Sequence, residues 1–164
     1  MELELDVLIL TSMLISRIFS WWESMGSYAI FLGNGDISWF LRKQSIVSLS
    51  STEFKYIVHS EATWDILWTQ CFPDKLGLKT NKSTALYEDN QGIIVFAQNQ
   101  KSLYHTKHIN MKVYFIKFKI DDSIIDFKYR PTLEMVADIY TKIVSPSIHT
   151  SLASPIVRYC ISYF

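Results

Sequence analysis

The sequence predicts an α/β domain: a mixed sheet, part antiparallel meander and part parallel strands, with helices on its faces. Two observations point there. Short β-type segments crowd together ahead of a long amphipathic stretch, and later β-type segments alternate with helical ones. Closely spaced strands pair antiparallel through tight turns, whereas strands separated by helices pair parallel. A third observation sets the scale: 164 residues, 49% of them apolar, suffice for one domain with a real core.

The elements follow in order. Residues 28–32 are apolar and stop at Gly33-Asn34-Gly35, a turn signal. Residues 37–41 follow, and 46–49 resume with β-branched side chains after Gln44, which completes the expected meander. Ser51 or Thr52 can cap a helix, with Glu53 in a first turn that favours acid. Phe54, Ile57, Val58, Ala62, Ile66 and Leu67 recur near helical spacing and mark its buried face, and Pro73 is expected to end it. Residues 84–87 form a short strand, followed by a helix through Ile93, Ile94, Phe96 and Ala97. Another helix is expected over 105–120, a strand over 124–129, and a last core helix over 133–142, opened by Pro131 and Thr132. Beyond Ser145-Pro146 stands a polar extension with room for one more short helix.

Residues 7–22 are strongly apolar. The acidic flank of Glu2, Glu4 and Asp6 argues against a signal peptide, and Arg17 and the short length argue against a membrane span. An interfacial helix is the membrane reading left open. Leu3, Leu5 and Val7 alternate with acids, a period-two pattern that also permits a strand over 3–10. Cys71 and Cys160 lie far apart without paired histidines, which excludes a disulfide framework and a structural zinc site and points to a reducing, intracellular setting. Sixteen basic and sixteen acidic residues balance, so overall charge carries no nucleic-acid signal. Locally, Lys101, His105, Lys107, His108, Lys112, Lys117 and Lys119 crowd one stretch, either a solvated helix face or a phosphate-contacting patch.

Four phrases stand in order along the chain: Ser50-Ser51-Thr52-Glu53-Phe54-Lys55-Tyr56, Tyr87-Glu88-Asp89-Asn90-Gln91, Thr106-Lys107-His108-Ile109 and Ala137-Asp138-Ile139-Tyr140-Thr141-Lys142. Over roughly 26–151 the chain resembles the ribonuclease H domain that closes the Pol polyprotein of copia-type retrotransposons, where these places read SSTEAEY, YxDNQ, TKHI and ADxxTK. The resemblance implies a ribonuclease H-like fold and cleavage of the RNA strand of an RNA–DNA hybrid. It also implies two Mg2+ ions held by four acidic side chains. Two such ions, roughly 3.5–4 Å apart, activate a water and stabilise the leaving oxygen, and Mg2+ asks for hard oxygen ligands. On this plan 1–25 is a degraded N-terminal segment, 26–145 the ribonuclease H-like domain and 146–164 a C-terminal extension.

From the residues alone, Asp89 is either a helix N-cap or a ligand presented where a strand ends. Asp138 is either a charge on an exposed helical stripe or a partly buried acid that needs an ion or a partner. The resemblance implies the second role for both, as catalytic metal ligands. It implies weak, salt-sensitive backbone contacts to the hybrid from Lys107 and Lys112. Asn110 stands where the family has an acid, and Arg130-Pro131-Thr132 supplies no histidine.

Two departures weigh against activity. Lys55 stands where the resemblance implies the helix glutamate ligand, and Glu53, two residues away, does not share its face. An ammonium at Lys55 can pair with Asp89 or Asp138 and hold the site together without metal. Asp89, Asp138 and Lys55 are therefore expected to converge at one end of the sheet, with Glu53 pointing elsewhere. The first acid, in a family DAD phrase upstream of Gly26, is also missing: 12–17 reads Ser-Met-Leu-Ile-Ser-Arg, and no acid lies between Asp6 and Glu23. One admissible codon set for that stretch, tcg atg ctg att tcg cgg, reads gat gct gat ttc gcg two bases later, which is Asp-Ala-Asp-Phe-Ala. An out-of-frame N-terminal segment follows from this reading, with 15–22 lacking a partner in the core. The expectation is a degenerate ribonuclease H domain with Mg2+ binding lost or weak. The alternatives are a non-catalytic nucleic-acid-binding module and a remnant without selected function.

Overall fold

The computed structural model describes residues 5–10, 16–18, 21–23, 25–32, 35–43, 51–75, 83–98, 107–141, 143 and 145–161. The main sheet holds β1 (Leu5–Leu10), β4 (Met25–Leu32), β5 (Gly35–Lys43), β6 (Thr84–Glu88) and β7 (Ile125–Tyr129) in the order β5-β4-β1-β6-β7. β1 runs antiparallel to β4, from Leu5 opposite Leu32 to Leu10 opposite Ser27, and parallel to β6, with Asp6 level with Ala85 and Leu8 with Tyr87. β4 and β5 are antiparallel, β6 and β7 parallel. This is the mixed α/β sheet that the element order predicts, and it is compatible with a ribonuclease H-like fold.

The strand joining the two halves comes from the N-terminal segment. β6 pairs with β1, not with the β4–β5 hairpin directly. The near-continuous apolar run Leu-Asp-Val-Leu-Ile-Leu suits a strand paired on both sides. β2 (Ser16–Ile18) and β3 (Trp21–Glu23) form a separate two-stranded antiparallel ribbon, so the described residues of 7–22 are strands and not an interfacial helix. The expected strand over 46–49 and residues 12–15 of the shifted-frame reading lie outside the described residues.

Helices cover both faces. α1 (Ser51–Lys75), α2 (Gln91–Gln98) and α3 (Lys107–Asp121) pack on one, where Tyr28, Ile30, Phe54, Val58, Leu86, Ile116, Ile125 and Phe127 form the larger core. On the other, Ala29 and Phe31 meet Met135, Val136 and Ala137. The division follows the pleat: Tyr28 and Ile30 point one way, Ala29 and Phe31 the other. A Cβ on Gly26 would overlap Cγ2 of Val58, so α1 rests directly on the backbone of β4.

Three expected boundaries are corrected. α1 continues past Pro73 to Lys75; the missing proline N–H costs one rung of the ladder near the helix end but does not stop the helix. The single helix over 133–142 is replaced by a 3-10 turn (Thr132–Glu134), an extended Met135 with φ −87° and ψ 99°, and the short α4 (Asp138–Thr141). Met135, Val136 and Ala137 are 0%, 4% and 0% exposed. Three consecutive residues cannot share one helical face, so a turn is needed to bury all three. The stretch after Ser145 forms α5 (Pro146–Ile161), which packs on β5, α4 and the 3-10 turn and buries Leu152. No helix among the described residues is long and apolar enough to cross a membrane, and Cys71 is exposed and free.

Candidate active site

The site forms where β6 leaves the sheet. Glu88 is its last residue, and α2 starts at Gln91. Asn90 caps that helix: its Oδ1 accepts from the Gly92 N–H at 2.9 Å, and its carbonyl from the Ile93 N–H at 3.1 Å. Asp89 is thereby released from the capping role that residue type alone allows. Its Oδ1 accepts from Lys55 Nζ at 2.8 Å and its Oδ2 from Thr132 Oγ1 at 3.0 Å. Thr132 is brought there by the exit of β7, where the Arg130 N–H donates to Glu88 O at 3.0 Å and the Arg130 guanidinium lies 4.3 Å from the Tyr87 ring.

Lys55 opens the second turn of α1 and has two partners. Besides Asp89, its Nζ donates to Glu88 Oε1 at 2.5 Å. The Asn90 N–H donates to the same oxygen at 2.8 Å. One helical turn beyond Lys55, His59 Nε2 stands 2.9 Å from Glu88 Oε2. That spacing makes a strong charge contact when the imidazole is protonated, but the two atoms lie off the line of a hydrogen bond. His59 is fully buried, with the Phe127 ring edge-on at 5.2 Å. The Glu88 side chain is 1% exposed, Lys55 13% and Asp89 17%, so the cluster runs from the core to the surface. Burial pushes the Glu88 carboxyl up, but His59 and Lys55 outweigh it and hold the group well below the usual carboxylate range. An open cleft of about 450 Å3, lined by Lys55, Asp89, Asn90, Gln91, Gly92 and Tyr129, leads to it.

The other residues singled out by the sequence fall as follows. Asp138 is the first residue of α4, 3% exposed, beside Met135, Val136 and Ala137. The partners of Lys55 are Glu88 and Asp89, and Asp138 is not one of them. Glu53 is buried rather than turned to solvent. Lys112 Nζ donates to Ser60 Oγ of α1 at 2.9 Å. Lys107 opens α3, and its side chain lies outside the described residues. Asp6 stands level with Ala85, four positions before Asp89, which puts it roughly 13 Å down the sheet from the site. Sequence reasoning missed Glu88 and His59. Glu88 occupies the unspecified place of YxDNQ, and only the one-turn spacing from Lys55 hinted at His59.

The chain is 35% identical over 124 residues, 74% of its length, to the retrovirus-related Pol polyprotein from transposon TNT 1-94 of Nicotiana tabacum. It is 28% identical over 133 residues, 81% of its length, to that from transposon RE1 of Arabidopsis thaliana. It is 28% identical over 122 residues, 74% of its length, to that from transposon RE2 of the same plant. Its homologues are retrovirus-related Pol polyproteins of plant transposons. The matched stretches make up only 9%, 9% and 8% of those polyproteins. No protein-family model and no solved structure matches the chain.

The Pol resemblance invites a test of this end of the sheet against a two-metal centre, and the residues do not fit one. Mg2+ ions need carboxylate oxygens facing open space. Here the facing oxygens of Glu88 and Asp89 are taken by the Lys55 ammonium. Among the described residues, no three His, Cys, Asp or Glu side chains gather closely enough to hold a metal ion.

Proposed function

We propose that this chain is a ribonuclease H-type domain derived from a copia-type retrotransposon Pol polyprotein, and that it does not cleave RNA in RNA–DNA hybrids. The Pol relatives, the four ordered phrases and the strand order β5-β4-β1-β6-β7 support the ancestry. One observation carries the loss of cleavage: Lys55 Nζ lies against both Glu88 and Asp89, where the ancestral chemistry needs bare carboxylates around Mg2+. A second point supports it. β1 ends at Leu10, and its acid, Asp6, sits well short of the site. In this reading the hybrid is the ancestral ligand. Lys112 gives one of its three N–H groups to Ser60 Oγ, which leaves two for hybrid contact alongside Lys107.

The test is a cleavage assay of the full chain on a labelled RNA–DNA hybrid with Mg2+ or Mn2+. The expected result is no product above that of Asp89→Asn. Lys55→Glu alone is expected to stay inactive, because no acid arrives from β1. Restoring the shifted N-terminal frame together with Lys55→Glu is expected to return cleavage. Robust cleavage by the unmodified chain, abolished by Asp89→Asn, would overturn the reading.

A further inference from the structure

We propose that the exposed aromatic ridge shared by α1 and α3 is a stacking platform for single-stranded nucleic acid. It uses neither the cleft nor the acids at the end of β6, and it does not rest on the reading above.

Trp64 and Trp68 of α1 are four residues apart, so they share one helical face, and they are 62% and 76% exposed. On α3, Met111, Phe115 and Phe118 follow helical spacing, and Met111 and Phe118 are 67% and 59% exposed. Rings join the two helices: Trp64 stacks on Phe115 with centroids 4.8 Å apart and planes 15° apart. Large apolar side chains gathered on a surface mark a contact site. Trp64 lies roughly 14 Å along the α1 axis from Lys55, and neither tryptophan lines the cleft.

Charge decides between occupants. Before Asp121, α3 carries Lys107, Lys112, Lys117 and Lys119 and no acid. Lys119 Nζ sits 5.1 Å from the Phe118 ring centroid and 5.9 Å from that of Phe115. Among the described residues, neither Lys117 nor Lys119 has a carboxylate partner. The acids flanking Trp64 on α1 are Glu61 and Asp65, and Asp65 accepts from the Tyr28 hydroxyl at 2.5 Å. A second copy docked by two-fold symmetry would set the lysine-bearing helix against itself, like charge on like. A polyanion that carries flat rings fits instead: bases stack on the indole and phenyl faces while lysines meet the phosphates. Only a single strand offers those base faces freely, because a duplex or hybrid keeps them stacked inside.

The experiment titrates the full chain into fluorescein-labelled oligothymidylate and oligouridylate, read by anisotropy, with tryptophan emission as a second readout. The strands should bind with an affinity that falls as salt rises, and tryptophan emission should be quenched. Trp64→Ala and Trp68→Ala should each weaken binding about tenfold. Lys119→Gln should weaken it and lower the salt slope by about 0.7. Trp39→Ala removes a comparably exposed tryptophan, 66%, which is paired with Ala29 on the other face of the sheet, and should change nothing. Unlabelled poly-glutamate and an RNA–DNA hybrid should compete far more weakly than the unlabelled strand. Circular dichroism melting checks that the variants fold; if Trp64→Ala does not, Trp68→Ala and Lys119→Gln carry the test. Binding of one strand alone would keep the platform and name the sugar it takes. No binding of either strand, binding that survives the loss of both ridge tryptophans, an equal loss in Trp39→Ala, or poly-glutamate competing as well as the strand would overturn it. Self-association that Trp68→Ala removes, without strand binding, would assign the ridge to a second copy instead. Cleavage of a hybrid by the unmodified chain would sink the proposed function and leave the platform standing.

Discussion

Gly26 of β4 and Val58 of α1 touch so closely that a Cβ on Gly26 would overlap Val58 Cγ2. Val58 is 1% exposed and lies one turn beyond Lys55 on α1, next in sequence to His59. The contact sets how low the helix sits on the sheet, and so how Lys55 meets Glu88.

Gly26→Ala is therefore expected to cost about 1–3 kcal/mol by overpacking. Val58→Ala costs stability by itself, but it opens the space that the new methyl needs. The double variant should be more stable than the sum of the two losses. Urea unfolding of the four proteins measures the coupling. Simple additivity would mean that the two residues do not press on each other.

Val7 pairs with Ile30 on one side and Leu86 on the other. A proline there removes a ladder bond in the middle of the sheet, where proline is not accommodated. Val7→Pro is expected to abolish cooperative unfolding, as followed by circular dichroism. Arg17→Pro, in the β2–β3 ribbon off the main sheet, should leave the melting curve nearly unchanged. Equal effects from the two would deny β1 its central place.

Tyr140 donates to Asp36 Oδ2 at 3.2 Å. Burial, then the neighbouring Asp36 carboxylate, pushes the phenol up to about 12 from its ordinary 10.0. The folded pKa lies above the unfolded one. The stability from this group is thus complete below pH 10 and is lost as pH rises through 12. Stability is expected to fall across that window, and Tyr140→Phe should flatten the fall. An unchanged pH profile in Tyr140→Phe would refute the assignment.

The coding DNA of residues 12–17 provides a test that needs no protein. Codons that read gat gct gat ttc gcg when shifted by two bases are expected there. Codons for residues 12–15 incompatible with gat gct gat in a shifted frame would rule out an out-of-frame origin.

The mixed sheet was legible because its evidence is local. Strand-type runs, turn residues and the helical spacing of Phe54, Ile57, Val58 and Ile66 each lie within one element, where period and propensity act. The phrase around Asp89 likewise placed it at a strand end, and the residue types alone allowed Lys55 to pair with it. The helix expected over 133–142 misled because its apolar residues are consecutive. A chain that turns to bury Met135, Val136 and Ala137 looks, in one dimension, much like one that coils.

By itself the sequence determined which side chains carry charge, which segments are apolar at which period, and that Lys55 stands where the Pol resemblance implies an acid. Only the tertiary structure decided that β1 fills the centre of the sheet, because pairing joins residues far apart in the chain and many registers suit one apolar run. Only packing assigned the cap to Asn90 and freed Asp89. Packing also turned Glu88 inward against Lys55 and His59, since a strand residue's face is fixed by the register of its neighbours. The balance of charge at the site belongs to those distances: a lysine 2.5 Å from one carboxylate and 2.8 Å from another acts as a counter-ion, which no spacing in the sequence specifies.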